Sequence, residues 1–256
     1  MKTALVIGVG QLGALFAEGL ERAGWDVTCA GREWSGAIPA TGPIWVCVGE
    51  ESLRSVVAKI PKAERARVIV CQNEVFPSTL AELGLEAATV LIVWFNRKAG
   101  ATPKLGPTDI VVGPQSPAVQ AAYEALGIPL RGLDEGESLA GALAVKYAFI
   151  LGINTLGVLN TEGSNLTVGE WISGSAHEAV AAERTMRWAF GLALRACGIS
   201  DVDGPARAAM WVQLGSALAV HAELPTRGRK SQDRLERAKR LEKSFAAPRA
   251  GTRADD

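Results

Sequence analysis

The chain has 256 residues, of which 48% are hydrophobic, and its 27 basic and 27 acidic side chains give a formal net charge of zero. This size allows one or two domains with a sizeable core, and zero net charge argues against a dedicated nucleic-acid binder. The four cysteines form no closely spaced pair, and two histidines are too few for a histidine-rich metal site. The first strand pattern follows directly after Met1 and Lys2, so we expect no signal peptide and a cytoplasmic protein without a metal.

The stretch from residue 5 to residue 32 predicts a strand, a tight turn, a helix and a second strand. The apolar run Leu5–Ile7 leads into glycines at positions 8, 10 and 13, and apolar or small residues then recur at helical spacing up to Gly24. Trp25–Ala30 is the predicted second strand. A G-x-G-x-x-G motif in this order of elements is typical of a dinucleotide-binding site.

Each glycine of this motif has its own physical role. We predict that Gly8 forms the tight turn, that Gly10 lets a pyrophosphate approach the backbone, and that Gly13 lets the helix lie close to the strand. Gln11 and Leu12 begin the helix, whose free N–H groups would bind the phosphates. The alternative is a doubly wound sheet with a glycine-rich turn that binds no ligand.

The end of the second strand bears on the choice of dinucleotide. NAD sites usually carry an acidic residue there for the ribose 2′-OH, whereas this strand ends in Ala30, Gly31 and Arg32. The planar guanidinium of Arg32 suits a 2′-phosphate, which favours NADP(H). Two alternatives remain at this point, because Arg32 could be a solvated surface residue and Glu33 could serve NAD.

Apolar runs alternate with helical patterns up to residue 130. The predicted strands are Ile44–Val48, Val68–Cys71, Thr89–Phe95, Asp109–Val112 and Ile128–Leu130, and the predicted helices are Leu53–Ile60, Pro77–Leu83 and Pro117–Leu126. Continuous apolar strands alternating with helices indicate a parallel sheet that is covered on both faces. Ligands bind beyond the carboxyl ends of such strands, so we expect the glycine motif, Arg32, Gly49 and Gln72–Asn73 around one crevice.

Strand patterns disappear after Asp134. The predicted helices from there on are Leu139–Leu159, Val168–Ala196, Pro205–Glu223 and Lys230–Phe245. The predicted fold class is therefore α/β, with an N-terminal Rossmann domain built on a doubly wound parallel sheet and an all-helical C-terminal domain. We expect an NADP(H)-binding domain at 1–133, a helical substrate and dimerisation domain at 134–245, and a disordered tail at 246–256. Apolar faces on the later helices indicate a homodimer.

Lys146 is the only charged residue between Glu137 and Glu162. A stretch this apolar raises the possibility of a membrane span, which we reject because Lys146 lies in its middle with Asn154 on the same side and three glycines interrupt it. A lysine in a buried helix must be paired, neutral or directed into a cavity. The alternative is a lysine whose amine reaches water at the domain boundary.

The chemistry of a lysine suits a nicotinamide cofactor. Hydride transfer to a ketone creates an alkoxide, which needs a proton. A lysine ammonium at the carbonyl oxygen polarises the carbonyl and donates that proton, and burial lowers the pKa of the lysine toward the working range. These considerations make Lys146 a candidate catalytic residue.

Taken together, these residues resemble the ketopantoate reductase (2-dehydropantoate 2-reductase) family over roughly the first two-thirds of the chain. The resemblance is carried by GVGQLG at 8–13, Arg32, Gln72–Asn73 and KYAFILGIN at Lys146–Asn154. It implies reduction of a 2-keto acid or related carbonyl by NADPH. It also implies that Asn73 lies near the nicotinamide and substrate, that Lys146 is the general acid, and that Asn154 lines the substrate pocket.

The positions that would bind the substrate depart from the family pattern. Glu74 and Ile150 stand where the family usually has Gly and Asn, respectively. The local match GRKSQD at Gly228–Asp233 places Gln232 where the family has a Glu that holds ketopantoate, and it places Val220 where the family has a Ser. Ile150 and Gln232 are accordingly the predicted substrate-site positions at which specificity differs.

Three functions remain under consideration. The first is an NADPH-dependent reductase of a small carbonyl compound, such as a ketopantoate-like 2-keto acid, with hydride from NADPH and the proton from Lys146. The second is a hydroxy-acid dehydrogenase or an imine reductase on the same scaffold. The third is a non-catalytic NADP(H)-binding sensor, which the residues at Ile150, Val220 and Gln232 motivate. We expect a small-molecule substrate in each enzymatic case, and neither nucleic acid nor membrane as a partner.

Overall fold

The computed structural model describes residues 2–95, 103–159, 166–199, 204–226 and 231–246. The strands are β1 (Thr3–Ile7), β2 (Asp26–Ala30), β3 (Ile44–Val46), β4 (Val68–Val70), β5 (Thr89–Ile92), β6 (Asp109–Val112) and β7 (Leu130–Arg131). The helices are α1 (Gln11–Arg22), α2 (Glu50–Ala58), α3 (Pro77–Glu82), α4 (Ser116–Leu126), α5 (Leu139–Leu159), α6 (Val168–Ser173), α7 (Ala176–Ala196), α8 (Pro205–Val220) and α9 (Ser231–Ala246), with a 3₁₀ helix at Lys62–Arg67. Ala246 ends α9, and the rest of the predicted tail lies outside the described residues.

The seven strands form one sheet in the order β2-β1-β3-β4-β5-β6-β7. β1 pairs in parallel with both β2 and β3, so the chain winds outward in both directions from β1. The carboxyl ends of β1 and β3 therefore flank the crevice in which sheets of this kind bind ligands. The predicted Rossmann arrangement with a helical C-terminal region is confirmed.

The sheet is mixed, whereas the sequence predicted a parallel one. β6 pairs antiparallel with β5, with Val90 opposite Val112 and Ile92 opposite Ile110, and β7 is parallel to β6. A short buried apolar run has no periodicity that reports the direction of the strand. The pattern at Asp109–Val112 thus predicted the strand correctly, but the expectation that it runs parallel to its neighbour was wrong.

Both faces of the sheet are covered by apolar side chains. On one face, α1 and α4 enclose an aromatic cluster in which the ring centroid of Phe16 lies 4.9 Å from that of Trp45 and 5.9 Å from that of Tyr123. Gly19 permits the close packing of α1 on α4, because an added Cβ would lie 2.7 Å from the carbonyl oxygen of Ala122. On the other face, α2 and α3 share one continuous core with the C-terminal helices.

Helix α5 is the centre of the helical region and packs against α7, α8 and α9. It is apolar around its whole circumference, which is typical of a helix enclosed on all sides. By length and composition it is also the one described helix apolar enough to cross a bilayer, yet 78% of its most apolar window is buried inside the protein. The packing is that of a core helix.

The predicted helix Val168–Ala196 is two helices, α6 and α7, which are separated at Gly174 and Ser175. Ser175 begins α7 with a capping box, since its hydroxyl accepts from the N–H of Glu178 and the Glu178 carboxylate accepts from the N–H of Ser175. The expectation of one continuous helix was wrong. The S-x-x-E spacing after a glycine is a helix-start signal that the sequence contains.

An ion pair joins helix α9 to the turn after β4. The guanidinium of Arg237 binds both carboxylate oxygens of Glu74, with N–O distances of 2.8 and 2.7 Å. Glu74 follows β4 and is half-buried, as is Arg237. Bidentate geometry of this kind is both stronger and more directional than a single contact between charges.

We expect Arg237→Gln to lower the free energy of unfolding by about 1–3 kcal/mol, because it leaves a half-buried Glu74 carboxylate without its charged donor. The measurement is urea denaturation followed by circular dichroism. Arg22→Gln is the matched control, since Arg22 pairs with Glu18 on the exposed surface of α1 and its loss should change stability by about 0.5 kcal/mol or less. Equal effects of the two substitutions would contradict a stabilising role for the pair with Glu74.

Candidate active site

The glycine turn after β1 has no room for side chains at two positions. Gly8 has a φ of +93°, its N–H donates to the carbonyl oxygen of Ala30 over 2.8 Å, and an added Cβ would lie 2.8 Å from the carbonyl oxygen of Cys47. An added Cβ at Gly13 would lie 1.9 Å from the carbonyl oxygen of Gly8. Both positions therefore require glycine for the close packing of α1 on the sheet.

Gly10 differs from its neighbours because the space beside it is open. It precedes the first turn of α1, and an added Cβ would meet no atom within 4 Å. Gln11 is exposed and Leu12 is half-buried, and the first turn of α1 carries no acidic side chain. A helix N-terminus with this charge pattern and free space beside it suits an anionic ligand.

The other predicted cofactor residues lie at the ends of neighbouring strands. Arg32 is exposed and follows β2, after a Gly31 whose added Cβ would also meet no atom within 4 Å. Gly49 follows β3 and precedes α2. Gln72 follows β4 and is buried, and its amide donates to the carbonyl oxygens of Val46 and Val48 over 2.8 and 3.0 Å. The side chain of Gln72 thus links the end of β4 to the main chain at the end of β3.

A cavity of about 340 Å³ lies between the carboxyl edge of the sheet and α5. Its polar lining consists of Asn73, Lys146, Asn154, His221, Thr226 and Arg234, and its apolar lining includes Leu12, Val93, Trp94, Phe95, Phe149 and Ile150. The structure therefore brings five of the predicted site residues together: Leu12, Asn73, Lys146, Ile150 and Asn154. The apolar run of β5 continues past its last paired residue, and this continuation forms one wall.

Gln232 does not reach this cavity. It is exposed, and its amide donates to the carboxylate of Glu236 over 3.1 Å. Arg234, two residues further along α9, lines the cavity instead. The sequence pattern placed Gln232 of this helix in the substrate site and did not single out Arg234.

Lys146 is buried, with 6% of its surface exposed. Its Nζ lies 4.4 Å from the ring centroid of Trp94 and 5.7 Å from that of Phe149, distances at which aromatic faces stabilise a cation. Burial is the largest cause that lowers the pKa of Lys146; the carboxylate of Asp109 opposes it, the charge of Arg234 adds to it, and the net pKa is about 7. A substantial fraction of the amine is thus neutral at physiological pH.

Asp109 supports this arrangement from behind the cavity wall. Its carboxylate accepts from the main-chain N–H of Trp94 over 2.6 Å and from the Tyr123 hydroxyl over 2.7 Å. Burial raises the pKa of Asp109 to about 6, although these hydrogen bonds and Lys146 favour the charged form. Asp109 therefore fixes the position of Trp94 under the lysine. The sequence offered no signal for this role beyond a polar residue at the start of an apolar strand.

His221 is a second titratable group in the cavity that sequence reasoning did not assign. It is 6% exposed at the end of α8, and its ring centroid lies 5.1 Å from that of Phe149. Its Nε2 is buried and makes no hydrogen bond within the described residues. Burial and the charge of Lys146 lower its pKa. His221 therefore enters the site as a neutral imidazole.

The two asparagines of the cavity come from different parts of the fold. Asn154 is buried on α5, and its Nδ2 donates to the carbonyl oxygen of Ile150 over 2.6 Å, one turn earlier. Asn73 is half-buried in the turn after β4. The cavity thus receives amide groups from the helical region and from the sheet, with Lys146 among the same lining residues.

We expect the Lys146 amine to titrate near pH 7 in the folded protein, as measured by NMR of selectively ¹³C-labelled lysine. Asp109→Asn should shift this pKa downward, because it removes the negative charge that favours the ammonium form. Asp26→Asn is the control, since Asp26 is exposed on β2. A Lys146 pKa near 10.5 would contradict the buried position of the amine.

No protein-family model matches the chain, and no curated protein sequence matches it. Solved structures share its fold at low sequence identity. D-mandelate dehydrogenase with NADH is 12% identical with a TM-score of 0.64, over 97% of this chain and 94% of that chain. The 2-dehydropantoate 2-reductase of Methylococcus capsulatus is 14% identical with a TM-score of 0.64, over 96% of this chain and 92% of that chain.

A probable 2-dehydropantoate 2-reductase of Bacillus subtilis is 15% identical with a TM-score of 0.62, over 97% of this chain and 95% of that chain. These likenesses extend over nearly the full length of both chains. The fold is therefore that of these dehydrogenases and reductases, and the predicted resemblance to 2-dehydropantoate 2-reductases is confirmed at the level of the fold.

Proposed function

We propose that this protein is an NADPH-dependent reductase of a small carbonyl compound of the 2-keto acid type. The observation that carries the proposal is the buried Lys146 amine, which lies in a cavity that also includes Leu12 from the first turn of α1. The proton donor would then lie next to the end of α1 at which the dinucleotide binds. The fold shared with a D-mandelate dehydrogenase and with 2-dehydropantoate 2-reductases supports the same chemistry.

The residues at the crevice fit a dinucleotide. Gly10 leaves open space at the N-terminus of α1, where N–H groups and a partial positive charge would hold the pyrophosphate. Arg32, after the end of β2, would bind a 2′-phosphate through its planar fork, with Gly31 leaving open space beside it. When bound, NADPH supplies the hydride.

The chain's own residues would supply the proton. The Lys146 ammonium polarises the carbonyl oxygen, and its N–H proton passes to that oxygen as the hydride forms the new C–H bond, so the carbonyl becomes a hydroxyl. Lys146 is left as a neutral amine and takes a proton from water before the next turnover. Asn73 and Asn154 would orient the carbonyl compound through their amide groups.

We expect Lys146→Met to lower kcat for reduction of a 2-keto acid about 100-fold or more, because the proton donor is lost, while NADPH affinity stays unchanged. NADPH oxidation followed by absorbance, over a panel of 2-keto acids that includes ketopantoate, measures the rate. Lys62→Met is the control, since Lys62 is exposed. Full activity of Lys146→Met would refute the mechanism. If the wild-type protein binds NADPH but turns over no ketone or imine, it acts as a sensor and not as a reductase.

The same donor predicts a pH dependence. The pKa of Lys146 is lowered to about 7, and only the protonated amine donates. We therefore expect kcat/KM of the wild-type protein to be highest below pH 7 and to fall about tenfold per pH unit well above it. A kcat/KM that stays constant up to pH 9 would show that a group of higher pKa gives the proton.

For the cofactor, we expect Arg32→Ser to weaken NADPH binding about ten- to hundredfold, because a charge-assisted contact to the 2′-phosphate is lost, and to leave NADH binding unchanged. Calorimetric titration with each dinucleotide measures this, with Arg22→Ser as a control on the surface of α1. Tighter binding of NADH than of NADPH by the wild-type protein would overturn the preference for NADP(H).

A second candidate function is the reverse reaction, oxidation of a 2-hydroxy acid. It is favoured by the lowered pKa of Lys146, because a neutral amine accepts the hydroxyl proton as the hydride leaves. The shared fold with a D-mandelate dehydrogenase points the same way. Dehydrogenase activity with NADP⁺ that rises with pH through about 7, as the ammonium loses its proton, is the expected signature.

A further inference from the structure

We propose that Arg234 holds the carboxylate of the substrate, so that the acid group lies at α9 while the neighbouring carbonyl lies at Lys146. Arg234 would then make the protein selective for 2-oxo acids over neutral ketones of the same size. This inference rests on the proposed function, which it deepens by assigning the residue that selects the substrate class.

The charge of the cavity is the first support. Its described lining contains two cations, Lys146 and Arg234, and no acidic side chain. The two charges act on each other, since Arg234 lowers the pKa of Lys146. A negatively charged ligand between them would relieve this repulsion, and a neutral ligand would not. The described surroundings thus favour an anion.

The hydrogen bonding of Arg234 is the second support. Its Nε is buried, and within the described residues it has no hydrogen-bond acceptor. A buried guanidinium donor without an acceptor costs free energy, so a ligand that brings an acceptor to Arg234 recovers that free energy on binding. A carboxylate accepts two parallel N–H bonds from the guanidinium fork. A carboxylate is therefore the group that best satisfies the hydrogen-bond donors of Arg234.

The position of Arg234 is fixed by its neighbour on the same helix. Arg237, one turn further along α9, donates from Nε and Nη2 to the two carboxylate oxygens of Glu74. This ion pair holds α9 against the end of β4, and Arg234 lies over the cavity as a result. One arginine of this turn is thus structural, and the other is available to a ligand.

The size of the cavity limits the ligand. A volume of about 340 Å³ lies at the lower end of the range for small-molecule sites. The apolar side chains of Phe149, Ile150 and Ile153 in its lining would not solvate a second charged group. These dimensions suit a short 2-oxo acid with an aliphatic side chain.

The test compares 2-oxoisovalerate with its primary amide, which has nearly the same shape and no charge. We expect the wild-type protein to prefer the acid about 100-fold or more in kcat/KM. At pH 5.5, where Lys146 is protonated with or without the charge of Arg234, Arg234→Gln should reduce kcat/KM for the acid about 100-fold, mainly through KM, and leave the amide nearly unchanged. Arg234→Lys should recover part of the loss, because it restores the charge without the fork.

Arg240→Gln is the control on the same helix, because Arg240 is exposed and its loss should not alter the preference. Thermal unfolding of each variant checks that the fold is intact. A wild-type protein that reduces acid and amide equally well, or an Arg234→Gln variant that loses both alike, would overturn the role of Arg234 while leaving the reductase proposal in place.

A binding measurement separates this inference from the proposed function. Oxamate is a 2-oxo carboxylate that is not reduced, and it can be titrated calorimetrically into the protein saturated with NADP⁺. We expect binding by the wild-type protein and about 100-fold weaker binding by Arg234→Gln. If no carbonyl is turned over but oxamate binding depends on Arg234, the carboxylate site stands and the reductase proposal falls. If the wild-type protein does not bind oxamate, the carboxylate site falls.

Discussion

The burial of one amine between the sheet and the helical region is the constraint on which the site depends. Lys146 belongs to α5, the central helix of the helical region, while Trp94 and Asp109, which stabilise its charge, belong to the sheet. Removing an ammonium group from water is costly, and the aromatic face and the buried carboxylate offset only part of that cost. The part of the cost that is not offset lowers the pKa of Lys146, so the acidity of the amine reflects how the helical region packs on the sheet.

The sequence predicted most of the fold because its strongest signals are local. The glycine turn, the apolar strands and the length of α5 are each encoded within a short stretch of chain. Strand direction was not predictable, because β6 is set antiparallel by its pairing with β5 and not by its own pattern. The break between α6 and α7 was predictable from Ser175 and Glu178, but the helical periodicity on both sides hid it.

The candidate site divides in the same way. Lys146 and Asn154 could be predicted since they are polar residues within an apolar helix. Asp109, His221 and Arg234 could not, because each acquires its role from residues distant in sequence. Gln232, which the local match selected, lies two positions before Arg234, and two positions on a helix of 3.6 residues per turn are a rotation of about 200°. Gln232 therefore faces solvent, and Arg234 faces the cavity.

Because β6 runs antiparallel to β5, it places a carboxylate at the edge of the sheet that borders the cavity. Parallel strands present only their last residues at that edge, whereas an antiparallel neighbour presents its first. Asp109 is the first residue of β6 and lies beside the end of β5, where it binds the N–H of Trp94. The direction of β6 thereby influences the pKa of Lys146, because it determines where the Asp109 carboxylate lies. A change at Asp109 would alter the pKa of Lys146 without any change in α5, the helix that carries the lysine.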